Sequence, residues 1–276
     1  IPNVPEPDPS VCGPLARSAK DLEIALDIMA GPIEREARGW QLNLPESRKS
    51  SLKDFNIAIW SNDEMAPVSK DISQRCEEVG KNLASVGANV SYTAKPDHDF
   101  LKGEINYQLL LQSVMQSGMS DDEFKKIEEI ASNLDKNDLS AEAILAKGTV
   151  LSHRNWIRQN YAREQIKISW SKFFQDWDIL ICPQLATTAI KHDHGKISER
   201  TIMIDNQEQR FFQQIFWPGL AVNAHLPSTV FPTGLASDGM PIGLQAIGGA
   251  YEDKTTIKFA ELYEQEFKAF VVPNLD

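Results

Sequence analysis

Residues Phe55 to Tyr92 constrain the fold of this chain more than any other stretch. FNIAIW (55–60) is short, apolar and β-rich, and reads as a strand. A turn runs from Asn62 to Pro67. Val68–Ala84 then repeats Ile72, Cys76, Val79 and Leu83 on one helical face, until Gly87 stops it and Ala88–Tyr92 opens a second strand. A strand, a helix and a strand at this spacing form a βαβ unit with a right-handed crossover. The parallel pair this creates places the chain in the α/β class.

The C-terminal third extends the sheet. Ser228–Pro232 (STVFP) reads as a strand stopped by Pro232, and Thr233–Gly239 as a polar turn with two glycines. Pro241–Ile247 alternates small and large apolar residues. Gly248-Gly249 breaks the chain before Asp253, an N-cap for a helix whose inner face carries Ile257, Ala260 and Tyr263. Apolar strands this short suit the buried middle of a sheet. Asp178–Cys182 (DILIC) supplies a further strand ending at Pro183.

The rest of the chain reads as helix and loop. Ile1–Pro9 is extended, because each proline fixes φ and turns its predecessor away from helix. Val11–Ala16 is a short strand or extended piece. Ser18 caps a helix that buries Leu22, Ala25, Leu26 and Met29 and ends at Gly31. Pro32–Ser51 is a polar surface loop. Asp99–Gly118, with Ile105, Leu109 and Val114 inward, Asp121–Ser132, and Ser140–Asp176, with Trp156, Tyr161, Ile166, Trp170 and Phe173 inward, are helical. They make a lobe at about 99–176 within one domain spanning 1–276, since no linker composition flanks it. Gln184–Gln207 has little periodicity. Phe211–Asn223 is a helix interrupted at Pro218.

Composition narrows the function. With 276 residues, 42% of them hydrophobic, the chain can bury one large core, or a core and a smaller lobe. A net charge of −11 argues against nucleic acid, whose phosphates call for basic patches. No apolar run approaches the roughly 20 residues of a membrane span, and no charged-then-apolar leader pattern appears at the N-terminus, so neither membrane nor secretion is expected. Cys12, Cys76 and Cys182 are odd in number and far apart, which suits buried, reduced thiols in a cytoplasmic protein.

Two phrases carry a family resemblance. SVCGPLARSAKDLEIALDIMAG (10–31) is similar to a "GPlARs…DlalaldvlaG" phrase, and LPSTVFPTGLASDGMPIGLQAIGGAYEDKTTIKFAELYEQ (226–265) to "GLPa…P-x-G…GLPiGlQ-iG…D…A", both of the amidase signature hydrolases. DILICP resembles a third phrase, "yDvlltPt", and ERTIMIDN (199–206) an Arg-containing phrase of one subgroup. The resemblance runs from Val11 to Phe267. It implies a three-layer α/β/α fold with a mixed sheet, here lacking the strands that come before Ile1, plus the helical lobe. It also implies hydrolysis of a carboxamide C–N bond by a serine nucleophile, a bridging serine and a lysine base, with no cofactor. The opening at Ile1 rather than Met, in a Pro-rich phrase, looks like a cut within a longer protein.

Such chemistry needs an activated hydroxyl, a base that can take its proton near neutral pH and donors for the oxyanion. No Gly-Gly-Ser-Ser-Gly-like phrase exists here; Ser117-Gly118 closes a helix. Lys20-Asp21, Lys53-Asp54 and Lys70-Asp71 stand in polar settings and read as solvated. His192-Asp193-His194 can offer two metal ligands, but no HExxH or CxxC phrase supplies the others, so an exposed loop and no metal is expected. Cys182 with His225 could form a nucleophile and base, yet no cation lies beside the thiol in sequence. There is no GxSxG elbow.

No residue is therefore assigned a catalytic role, and those that remain can line a pocket. Pro183, in the loop to Ala186, lies where ligands approach an open α/β sheet, beyond the carboxyl end of a strand. Trp217, in Phe216-Trp217-Pro218, suits either an apolar substrate wall or a packed corner. Asn223 precedes the LPSTVFP strand. Arg17 and Arg200 could charge the mouth or serve as surface ion pairs. The expectation is the C-terminal part of an amidase, inactive as this chain, whose intact enzyme takes a small-molecule amide. Self-association, or pairing with an amino-terminal amidase half, would cover the missing edge. The alternative is a non-catalytic, amidase-derived binding module.

Overall fold

In the computed structural model, which describes residues 8–195, 199–267 and 270–273, the first strand, β1 (Asn56–Ile59), is flanked on both sides by parallel neighbours. Its partners are β2 (Asn89–Ser91), with Ile57 opposite Val90, and β3 (Ile179–Pro183), with Ile57 opposite Ile179. The helix between β1 and β2 is α2 (Lys70–Ser85), and Ser69 caps it by accepting a hydrogen bond from the Ile72 amide. Ile72, Cys76, Val79 and Leu83 are all buried, as the periodicity requires.

Two antiparallel strands complete this sheet. β7 (Pro241–Ile247) pairs with β3 on one side and with β6 (Ser228–Leu235) on the other, giving the order β2-β1-β3-β7-β6. The sheet is thus mixed, with β7 in its interior and β6 at an edge among the described strands. β6 does not stop at Pro232. A bulge between Pro232 and Gly234 carries it on to Leu235, where the Arg75 guanidinium donates to the carbonyls of Thr233 and Leu235. Gly234 is required there, since its φ is +114° and a Cβ would lie 2.7 Å from the Arg75 guanidinium.

Alternation sorts the side chains of this sheet onto two faces. On one, Phe231 packs edge-on against Phe259 (5.4 Å between centroids) and Tyr263 (4.8 Å) of α8 (Asp253–Glu266), and Phe55 meets Phe259 at 5.6 Å. Glu252 rather than Asp253 is the capping position of α8. On the other, Trp60 meets Trp217 at 5.5 Å. Trp217 is the second residue of α7 (Phe216–Ala224), and Pro218 sits in the first turn of that helix instead of interrupting it. A 3-10 turn, Phe211–Ile215, precedes it.

A second, two-stranded sheet lies where the sequence shows little periodicity. β4 (Thr201–Ile204) and β5 (Gln207–Arg210) are joined by Asp205 and Asn206, both at positive φ (46° and 68°), the pattern of a type I′ hairpin. The first helix, α1 (Ala19–Met29), has the expected Ser18 cap but buries only Ala19; Met29 is exposed. Its Ala19 amide donates to Glu264 of α8. No strand forms at Val11–Ala16. Of the extended segment expected at Ile1–Pro9, residues 1–7 lie outside the described residues.

Residues 97–170, with 8–11 and Val222–His225, cluster as one compact unit; Cys12–Pro96, Ser171–Ala221 and the chain from Leu226 on form the other. The helical unit contains α3 (Phe100–Met115), α4 (Asp121–Asn133), α5 (Ala141–Thr149) and most of α6 (His153–Asp176). α3 buries Gly103, Asn106, Tyr107, Leu110 and Gln112, not the face of Ile105, Leu109 and Val114. The reason is polar: Asn106 donates to the carbonyl and side-chain oxygens of Gln159, so its face must turn inward. Tyr161, expected inside, is 73% exposed. Arg163 is the buried residue on that part of α6, held in a fork by both carboxylate oxygens of Asp8 at 2.9 and 2.7 Å. No described helix is long and apolar enough to cross a membrane.

Phe259→Ala is expected to cost about 3 to 5 kcal/mol of stability, because it removes the ring that Phe55, Phe231 and Tyr263 share; urea unfolding measures this. Asp8→Ala is expected to cost about 3 kcal/mol by leaving the Arg163 charge buried and unpaired. Burial alone would raise the Asp8 carboxyl, but the hydrogen bonds and charges of Arg163 and His225 outweigh it and hold it below the ordinary value. This pair therefore stabilises above the unfolded aspartate pKa of about 3.9 and loses its contribution as pH falls through the lower folded value. Unfolding curves between neutral and strongly acidic pH should show that loss in the wild type and not in Asp8→Ala.

Candidate functional site

The carboxyl end of β3 is fixed by one side chain of β7. Gln245 lies opposite Cys182 and Val230 in the sheet and is 1% exposed. Its Nε2 donates to the carbonyl of Pro183 at 2.8 Å and to that of Trp217 at 2.9 Å, while its Oε1 accepts from the Ser228 hydroxyl at 2.9 Å. Both N–H groups and the oxygen of the amide are engaged, as burial of a primary amide demands. The Trp217 indole N–H in turn donates to the carbonyl of Ala66, at 3.0 Å. Pro183 and Trp217, chosen from sequence as substrate-lining residues, are thus brought together by a residue that periodicity and motif do not single out. The signal is nonetheless present: a glutamine in the apolar run PIGLQAI can be buried only if it has partners.

Trp217 has no exposed surface. Of the two alternatives open for it, its surroundings describe a packed corner, with Trp60 and Phe216 edge-on to its ring. Asn223, the third candidate, belongs to the helical unit. Its Nδ2 donates to Asn106 Oδ1 at 3.2 Å and reaches the Gly103 carbonyl at 3.5 Å, and its Oδ1 is buried without a hydrogen-bond partner. Arg200 is turned onto its own loop, donating to the Gly195 carbonyl at 3.0 and 2.9 Å. The Arg17 guanidinium lies over the Phe270 ring, 5.6 Å from its centroid.

The two buried thiols are poorly placed for nucleophilic chemistry. Cys76 and Cys182 are fully buried, and burial pushes both thiols well above their ordinary range, so the thiolate is suppressed. Cys12, expected to be buried, is exposed. Among the described residues no lysine is buried; Lys20 pairs with Glu23 on the surface of α1, and Lys53 and Lys70 are exposed. His225 contacts Asp8 at 3.2 Å. The His192 and His194 rings lie 6.2 Å apart in an exposed loop, and among the described residues no group of three or more His, Cys, Asp or Glu could hold a metal ion.

An open pocket of about 400 Å³ lies beyond the carboxyl ends of β1 and β2, walled by Ile59–Asn62, by Glu77 and Lys81 of α2, and by Tyr92 and Lys95. It falls within the size range of small-molecule sites. Its position is the one at which ligands approach open α/β sheets.

Comparison with known proteins places this geometry. The family model described as Amidase matches residues 6–257. The chain is similar to a glutamyl-tRNA(Gln) amidotransferase component from Thermosynechococcus vestitus, with 26% identity over 92% of this chain and 54% of the relative. It is also similar to indoleacetamide hydrolase of Bradyrhizobium japonicum, with 23% identity over 93% of this chain and 52% of the relative. The chain therefore spans about half the length of the curated relatives it matches. Among solved structures, the corresponding glutamyl-tRNA(Gln) amidotransferase component of Thermotoga maritima superposes with a TM-score of 0.67 at 16% identity, covering 96% of this chain and 55% of that one. A bacterial aryl acylamidase of the amidase signature enzymes superposes with a TM-score of 0.64 at 17% identity, covering 93% and 53%. These structural likenesses establish the shared fold.

Gln245→Met is expected to destabilise the protein by about 2 to 4 kcal/mol, because it fills the same volume and leaves the Pro183 and Trp217 carbonyls without donors. Gln245→Glu, which keeps the acceptor and the shape, should be at least as damaging at neutral pH, since a carboxylate cannot donate to either carbonyl. Chemical denaturation of the two variants beside the wild type checks both.

Proposed function

The chain belongs to the amidase family, and from that membership we propose that it is the C-terminal part of a carboxamide C–N hydrolase, supplying the frame of the site and not its reactive groups. The observation that carries this reading is that the family model spans residues 6–257 while no described lysine is buried. A lysine serves as a base near neutral pH only when burial or a neighbouring cation lowers its pKa. The sequence also has no Gly/Ser-rich serine phrase.

In this reading Pro183 and Trp217 shape the substrate wall from behind, held by Gln245. The reactive serines and lysine would come from an amino-terminal amidase half, whether encoded with this chain or separately. The side of β6 left unpaired among the described strands and the exposed Ile24, Ile28 and Met29 of α1 are what such a half, or a second copy of the chain, would cover. The alternative, a non-catalytic binding module derived from an amidase, draws its support from the pocket at β1 and β2.

The test is hydrolysis of simple aryl and aliphatic amides by the purified chain. No turnover above background is expected. Activity that survives successive purification steps would overturn the assignment of the chemistry to another half.

A further inference from the structure

We propose that the pocket outside β1 and β2 is a binding site for a small organic monocarboxylate, held by the ammonium groups of Lys81 and Lys95. This goes beyond the hydrolytic reading and does not depend on it. The argument starts from which hydrogen-bonding groups on the wall are already used. Asn62 Oδ1 accepts from the Val68 amide at 3.0 Å, and the Asn62 carbonyl accepts from the Trp60 indole N–H at 3.0 Å. The Glu77 carbonyl accepts from the Tyr92 hydroxyl at 3.4 Å. These acceptors are engaged internally, and beside the Glu77 carboxylate the side-chain groups left over are donors: the Asn62 amide nitrogen, the Ser61 hydroxyl and the Lys81 ammonium.

The two cations differ in a useful way. Lys95 is held in place, 4.0 Å from the centroid of the Trp60 ring and 3.6 Å from Asp63 Oδ2. Lys81, one turn beyond Glu77 on α2, has no ion-pair partner among the described residues. Glu77 contributes the one side-chain carboxylate of the wall. Because Lys95 already pairs with Asp63, Lys81 is the one ammonium of the wall without an ion-pair partner among the described residues, and a single free cation suits a monocarboxylate better than a dianion. The apolar side of the ligand would meet Ile59 and the Tyr92 ring.

The pocket is also built, and this is visible at Gly80. A glycine in the middle of a helix weakens it, yet a Cβ here would lie 2.5 Å from the Tyr92 hydroxyl and 3.1 Å from Ile59. Glycine lets the Tyr92 ring lie across α2 and form a wall between Glu77 and Lys81.

The test is titration of the full chain with benzoate at low ionic strength, followed by calorimetry or amide chemical shifts. Saturable binding with a Kd of about 1 mM is expected, together with a loss of about tenfold or more in Lys81→Met and in Lys95→Met. Benzamide, which has the same shape without the charge, should show no binding. Gly80→Ala should weaken binding by displacing Tyr92, and circular dichroism confirms that each variant remains folded. Any of three results overturns the proposal: no saturation by about 10 mM benzoate, equal binding of benzamide, or affinity unchanged in both lysine variants. Inorganic phosphate binding as tightly as benzoate would also overturn it, in favour of a general anion patch.

Discussion

The side-chain amide of Gln245 is the interaction on which the sheet unit depends. Buried among apolar strands, it would cost several kcal/mol if its donors and acceptor were unmet, about 2 to 7 for a group of this kind. It meets all three requirements from different parts of the chain: the end of β3, the start of α7 and the first residue of β6. A slip of β7 by one residue would turn Gln245 toward the face lined by Phe231, Phe259 and Tyr263, where aromatic rings offer it nothing equivalent. The register of β7, and with it the position of Pro183 and Trp217, therefore follows from one polar residue in an apolar strand.

The helical unit is organised on a different principle. Its interior holds Arg163, Asn106, Gln112 and Asn223, all buried, and their partners are chosen by geometry instead of by hydrophobicity. The Arg163 fork receives both oxygens of Asp8, and its Nε and one terminal nitrogen also donate to Asn160 Oδ1. Apolar contacts tolerate small shifts of one helix over another. A set of paired amides and a guanidinium fork tolerates far less, because a displaced member becomes a buried polar group without a partner. The close approach at Gly148, where a Cβ would lie 2.7 Å from Gln112 Cβ, fixes α3 against α5 in the same manner.

What the sequence made legible follows from these two principles. Where burial is apolar and periodic, as at Ile72, Cys76, Val79 and Leu83, the inner face could be read directly, and the βαβ arrangement with it. Where the buried face is polar the same rule pointed the wrong way: it selected Ile105, Leu109 and Val114 on α3 and Tyr161 on α6, while Asn106 and Arg163 were inside. Turn chemistry misled in two places. Pro232 reads as a stop, but a bulge and the Arg75 guanidinium carry β6 past it. Asp205-Asn206 is a two-residue hairpin signal that is easily missed because its flanks, TIMI and QEQR, do not look like a buried sheet. Of the candidate site, Pro183 and Trp217 could be picked from the sequence, but the residue joining them could not, and the donors around Lys81 and Lys95 come together only through the fold.

The proposed separation of frame from chemistry has a physical basis. A base and a nucleophile depend on perturbed pKa values, which require a charge to be buried or set beside another charge. Those arrangements cost stability and can be supplied by a few residues on one segment. A frame such as the Gln245 clamp depends only on satisfied hydrogen bonds, which stabilise the fold, so it persists in a chain whether or not the reactive groups accompany it. The buried thiols illustrate the contrast. Cys76 and Cys182 have the burial that a perturbed group needs, but no cation to favour the thiolate, so burial raises their pKa and makes them inert packing. The amidase fold in this chain is accordingly sustained by interactions that need no catalysis to account for them, and the ionic groups it does display openly, at Lys81 and Lys95, are suited to holding an anion and not to activating a hydroxyl.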